Sequence, residues 1–171
     1  MERNFEMSPY WKLKKTAAAL GLAAACLLST GIANAQSEGL VGTWFVQIQL
    51  HNCETGATVG GPFISLLTFD RGGTMTETTS NASFYPAVRG PAHGVWKETG
   101  VDGANHTYTS SQLALVTSDG VLTEGQTVRQ TIVMGSDPNA FDTPSASVEF
   151  YSPDLKLLKS GCATAKGVRF E

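Results

Sequence analysis

From Gly42 onward the chain alternates apolar and polar residues. In "GTWFVQIQL" the side chains of Trp44, Val46, Ile48 and Leu50 fall on one side, with Phe45, Gln47 and Gln49 on the other. Successive side chains of a strand point to opposite faces, so this pattern predicts a strand with one wet face. Eight such β-rich runs are found, at about 41–50, 62–70 ("PFISLLTFD"), 74–80 ("TMTETTS"), 93–99 ("HGVWKET"), 106–117 ("HTYTSSQLALVT"), 126–134 ("QTVRQTIVM"), 145–151 ("SASVEFY") and 156–170. The breaks between them, including "DRGG", "TGVDGAN", "SDGVLTEG", "GSDPNAFDTP" and "SPD", are rich in turn residues. Most are short enough to join neighbouring antiparallel strands. No helical apolar period persists beyond two turns in this part of the chain. The expected fold is all-β, an eight-stranded antiparallel up-and-down barrel, with a seven- or eight-stranded sandwich as the alternative.

Alternation also assigns an interior. Trp44, Val46, Ile48 and Leu50 face inward from the first run, Val128, Gln130, Ile132 and Met134 from the sixth, and Ala146, Val148 and Phe150 from the seventh. The last run offers only small residues, Gly161, Ala163, Ala165 and Gly167, and the third has Met75 as its one apolar residue. A lining that is apolar but thin on two walls leaves room inside, unless loop side chains fill it.

The N-terminal segment belongs to a different class. Arg3, Lys12, Lys14 and Lys15 precede an apolar run from Ala17 to Leu28 and an "ANA" at Ala33–Ala35. This is the pattern of a secretory signal peptide over residues 1–35, cut after Ala35, leaving a single β-barrel domain over 36–171 that is secreted or periplasmic. At about 1.5 Å per residue the apolar run falls short of a bilayer core of roughly 30 Å, so no stable membrane insertion is expected. Cys53 and Cys162 remain in the exported part. Two cysteines in an oxidising compartment predict one disulfide, the alternative being two free buried thiols. Such a bond ties the end of the first strand to the last strand, which favours a closed barrel over a sandwich. The chain has a net charge of −3, and removing the basic leader makes it more acidic still. With no basic run left, nucleic acid and anionic membrane surfaces are excluded as expected partners.

Candidate chemistry is sparse. His51, His93 and His106 lie far apart with no metal-ligand spacing, and there is no nucleophile elbow, phosphate loop or dinucleotide fingerprint, so no cofactor is expected. The densest polar and aromatic stretch is "SFYPAVRGPAHGVWKE" at 83–98, expected to bridge the third and fourth strands over one end of the barrel. Tyr85, Arg89 and His93 would then contact a ligand at the mouth, the alternative being a solvated surface loop. Trp96 would either stack on that ligand or serve as core wall. Alternation turns Glu77, Tyr108, Gln112 and Gln130 inward. A carboxylate in an apolar cavity acts as a general acid or base when its pKa is raised, so Glu77, with Tyr108 as hydrogen-bond donor and His93, forms the candidate catalytic set. A register slip of one residue would place Glu77 in water instead.

With Gly42-x-Trp44 opening the first strand of a small exported all-β chain, the sequence resembles the calycins, and lipocalins in particular. The resemblance implies that Trp44 closes the narrow end of the barrel, that Arg169 near the end of the last strand packs across its indole, and that the opposite end opens to a small hydrophobic ligand. The sequence departs from that pattern between the sixth and seventh strands, where "GSDPNAFDTP" replaces a Thr-Asp-Tyr type turn. Small barrels similar to allene oxide cyclase share the architecture with no motif to match. The expected function is therefore a binding barrel for a small hydrophobic molecule, with Tyr85, Arg89, His93, Trp96, Tyr108 and Gln130 as ligand contacts. The alternatives are a cofactor-independent cyclase, isomerase or dehydratase, and a solid-core structural or interaction protein.

Overall fold

A computed structural model describes residues 39–170; the expected signal segment and its cleavage site lie outside the described residues. The strands are β1 (Gly42–His51), β2 (Thr58–Phe69), β3 (Thr74–Thr79), β4 (Val88–Asp102), β5 (Asn105–Ser118), β6 (Val121–Met134), β7 (Ala140–Tyr151) and β8 (Leu157–Arg169). Each pairs antiparallel with the next, and β8 returns to pair with β1. The sheet is a closed barrel and has no free edge.

Several strands run longer than their sequence patterns indicate. The expected loop over 83–98 is mostly strand: only residues 80–87 link β3 to β4, with one 3₁₀ turn at Ala82–Phe84. β6 and β7 likewise begin earlier, at Val121 and Ala140. Glycine and proline inside these segments read as breaks, yet they sit at bulges. The β4–β5 register shifts between Arg89 and Ala92, around Gly90 and Pro91, and the β7–β8 register shifts between Thr143 and Ala146, around Pro144. A bulge leaves one residue out of the ladder, which is where a proline without an N–H is tolerated.

The end of the barrel where β1 begins is filled. Trp44 is fully buried there with Leu40, Phe69, Met75, Ile132 and Met134. Its indole N–H donates to the Leu40 carbonyl at 2.9 Å, and its ring meets Phe141 edge-on at 4.9 Å. The Arg169 guanidinium lies 4.3 Å from the indole centroid, the contact that the lipocalin resemblance implied. It also donates to the carbonyls of Val41 (2.7 Å), Gly39 (2.8 Å) and Pro138 (2.9 Å). One side chain thus satisfies the backbone of the incoming chain and of the β6–β7 turn while covering the plug. Gly42 explains the glycine of the motif. Its φ is +130°, and a Cβ there would lie 2.7 Å from an Arg169 nitrogen, so any side chain would strain the backbone and push the guanidinium away.

At the opposite end Cys53 and Cys162 are joined by a disulfide spanning 109 residues of sequence. His51, the last residue of β1, pairs with Cys162 in the ladder and is bonded through Nε2 to the Thr164 hydroxyl at 2.9 Å.

Trp44→Ala is expected to lower stability by about 3–5 kcal/mol, as for other buried aromatics. Arg169→Ala should cost less, and the two losses should fall short of additive in a denaturant double-mutant cycle. Additivity would mean that the guanidinium and the indole are not coupled. Reducing the disulfide, or replacing both cysteines by serine, should lower stability by up to about 4–5 kcal/mol on chain-entropy grounds, read from the shift of the unfolding midpoint. An unchanged midpoint would sink that expectation.

Candidate functional site

Above the plug the barrel is hollow. A cavity of about 640 Å³ opens toward the end that carries the disulfide. Its walls differ in character. Ile48 and Leu50 of β1, Val148 and Phe150 of β7, and the small Ala163 of β8 form an apolar side. Opposite them stand Glu77 of β3, Arg89 of β4, Gln112 of β5, and Gln126 and Gln130 of β6.

Local register accounts for the polar wall. Glu77 pairs with Leu67 on one side and Ala92 on the other, both buried, so the strand's alternation delivers it to the interior. Arg89 reaches the same face only through the β4 bulge. Three positions separate it from the inward Ala92, which by strict alternation would put it outside, and the extra residue at the bulge turns it in.

The two charges meet inside. An Arg89 terminal nitrogen lies 2.6 Å from Glu77 Oε2, with the two side chains only 3% and 5% exposed. The same Glu77 oxygen accepts from Gln112 Nε2 at 2.7 Å, and Oε1 accepts from the Ser65 hydroxyl at 2.9 Å. Arg89 Nε donates to Gln126 Oε1, and its other terminal nitrogen to the Gly90 carbonyl at 3.3 Å. Removing two ions from water costs several kcal/mol each, and only close pairing with further hydrogen bonds offsets it. Every element of that compensation is present here. The carboxylate is already committed to three donors, which makes it an organiser of the wall rather than an unoccupied base.

A roof crosses the mouth. Phe84, on the 3₁₀ turn between β3 and β4, approaches Phe150 of β7 with ring centroids 6.2 Å apart. Lys159 Nζ lies 4.3 Å from the Phe150 centroid and donates to Glu124 at 3.1 Å, so a cation and its counterion brace the roof at the rim.

Among the polar and aromatic candidates, Glu77, Arg89, Gln112 and Gln130 line this cavity, together with the inward apolar residues of β1, β6, β7 and β8. Others are elsewhere. Tyr85 is 86% exposed, pointing away from the barrel beside the inward Phe84. His93 is exposed on the outer face of β4, because its neighbour Ala92 takes the inner position. Trp96 and Tyr108 do face inward, but below the cavity, where Trp96 packs edge-on against Phe69 (5.9 Å) and Tyr108 (5.8 Å). The Tyr108 hydroxyl is held above the usual phenol range, first by burial and then by the charge of Glu98, against the lowering effect of a hydrogen bond with the Leu40 backbone. Glu77, Tyr108 and His93 therefore occupy three separate places and form no common catalytic centre. Gln126 and Phe84 were not anticipated. Gln126 was legible, two residues before the inward Val128; Phe84 lies in a turn, where no period marks a face.

Compared with known proteins, the chain matches no protein-family model, no curated protein and no solved structure.

Breaking the buried pair from one side leaves a charge without its partner. Glu77→Leu or Arg89→Met alone should each lower stability by about 3–5 kcal/mol in urea unfolding, whereas the double variant should recover most of the loss. A double variant as unstable as the sum of the singles would show that the two charges do not act as a pair.

Proposed function

We propose that this protein is an exported binding barrel, lipocalin-like in design, which holds one small and largely apolar molecule in the upper cavity. The observation that carries the reading is the cavity itself. A concave site of about 640 Å³ between an apolar wall and a few fixed polar groups is the usual make-up of a small-molecule site. The roof formed by Phe84 and Phe150 supports the reading, since it shields an apolar guest from water while resting on a short turn rather than a strand. The Cys53–Cys162 bond supports export, because disulfides persist in oxidising compartments. Among the described residues no helix is long and apolar enough to cross a membrane. A binding role is favoured over turnover because the carboxylate on the polar wall is committed to Ser65, Arg89 and Gln112, and the candidates Tyr108 and His93 lie outside the cavity.

The neutral dye N-phenylnaphthylamine should bind folded protein saturably, one to one, with rising emission. Val148→Trp, which fills the cavity from β7, should abolish the signal. Phe84→Ala should raise both association and dissociation rates in stopped flow, with a smaller change in affinity. Dye binding that ignores the Val148 substitution would place the dye elsewhere and remove the support for this reading.

A further inference from the structure

The cavity's polar wall has unused hydrogen-bonding capacity, and that capacity is of a particular kind. Among the described residues, Ser110 Oγ, Gln112 Oε1, Gln130 Nε2 and Thr143 Oγ1 are buried side-chain atoms without a hydrogen-bond partner. Three of these four residues are neighbours on the inner face of β5 and β6. Ser110 is paired with Gln130, and Gln112 with Val128, which puts Gln112 diagonal to Gln130. Diagonal neighbours across an antiparallel pair lie about 7–8 Å apart, within reach of one bridging group. Gln112 and Gln130 both line the cavity. The orientation of Gln112 is set by the ion pair: its Nε2 donates to Glu77, which leaves Oε1 as a free acceptor. Gln130 contributes a free donor. Burying a polar group without a partner costs free energy, so a wall that leaves Gln112 Oε1 and Gln130 Nε2 unpaired at the cavity is complementary to a guest that supplies a donor and an acceptor.

Charge narrows the class of guest. The Glu77 carboxylate is neutralised by Arg89 within the wall, and Lys159 by Glu124 at the rim. The other ionisable groups bordering the cavity, His51 and Glu54, belong to its rim. A third charge brought to the polar wall would find no uncompensated counterion, in surroundings where an unpaired ion is costly. A carboxylate in particular has no proton to give Gln112 Oε1.

We infer that the molecule held in this cavity is an uncharged amphiphile, with an apolar body against β1, β7 and β8 and a hydroxyl or carboxamide group docked between Gln112 and Gln130. The inference rests on the binding function proposed above and names the chemical class of its ligand. Fatty carboxylates and alkylammonium ions are disfavoured by the same wall.

A matched series tests it: decanol, decanamide, decanoate and decylammonium displacing N-phenylnaphthylamine at neutral pH. Decanol and decanamide should displace the dye at concentrations at least about tenfold lower than either ion. Because a neutral head also partitions more readily from water, the decisive readout is the Gln130→Leu variant. With each displacement referred to the variant's own dye affinity, it should melt no lower than the parent, because it removes an unpartnered amide, and lose most of the neutral-over-ionic margin. Gln130→Lys, which adds an uncompensated cation, should bring decanoate ahead. Dye binding with decanoate or decylammonium preferred by the parent protein, or a margin unchanged in Gln130→Leu, would overturn the ligand class and leave the binding function standing. Failure of the dye and of all four compounds to bind would overturn both.

Discussion

The barrel depends on the seam where β8 meets β1. These strands are farthest apart in sequence, so their pairing closes the longest loop and carries the largest loop-closure cost of any strand pairing in the barrel. The ladder runs from Trp44 opposite Arg169 to His51 opposite Cys162, and each end is fastened by more than backbone hydrogen bonds. At one end a guanidinium lies over an indole and gathers three backbone carbonyls; at the other a disulfide joins Cys53 to Cys162. Between them small β8 residues face large β1 residues, Ala163 against Leu50, Ala165 against Ile48 and Gly167 against Val46. Gly167 has a second function. A Cβ there would come within 2.3 Å of the Phe141 ring, so its absence lets Phe141 reach Trp44.

The same distribution of sizes divides the barrel into a filled half and a hollow half. Below, Trp44, Phe69, Met75, Tyr108, Ile132, Met134 and Phe141 occupy the interior. Above, Ala146, Val148 and Ala163 are too small to meet the opposite wall, and the space between remains open. Atoms that face a void forgo their dispersion partners, so the hollow half holds together less tightly than the plug. The plug and the seam offset that deficit. Stability and recognition are thereby assigned to opposite ends of one sheet.

A buried ion pair is an uncommon way to build the wall of a cavity. Two apolar side chains of similar volume would hold the fold about as well. What the pair adds is order: Glu77 fixes the amide of Gln112, Arg89 fixes that of Gln126, and the carboxylate also holds Ser65. The polar face presented to the cavity is therefore preorganised, with no net charge.

Much of this architecture is legible in the chain. Strict alternation in "GTWFVQIQL" identifies the first strand and its inward face, the cysteine positions call for a closed sheet, and Gly42, Trp44 and Arg169 mark the plug. Alternation also brings Glu77, Gln112 and Gln130 inside. It does not tell their depth. Glu77 and Tyr108 obey the same period-two rule, yet one lines the cavity and the other lies in the plug, because depth depends on the stagger between strands, a property of the closed barrel and not of any one segment. Arg89 faces inward through a one-residue bulge, and Phe84 covers the mouth through the path of a turn. Face is a local consequence of the extended backbone and can be read residue by residue. Depth, bulges and turn paths are decided by pairing across the whole sheet, and so only the tertiary structure assembles the site.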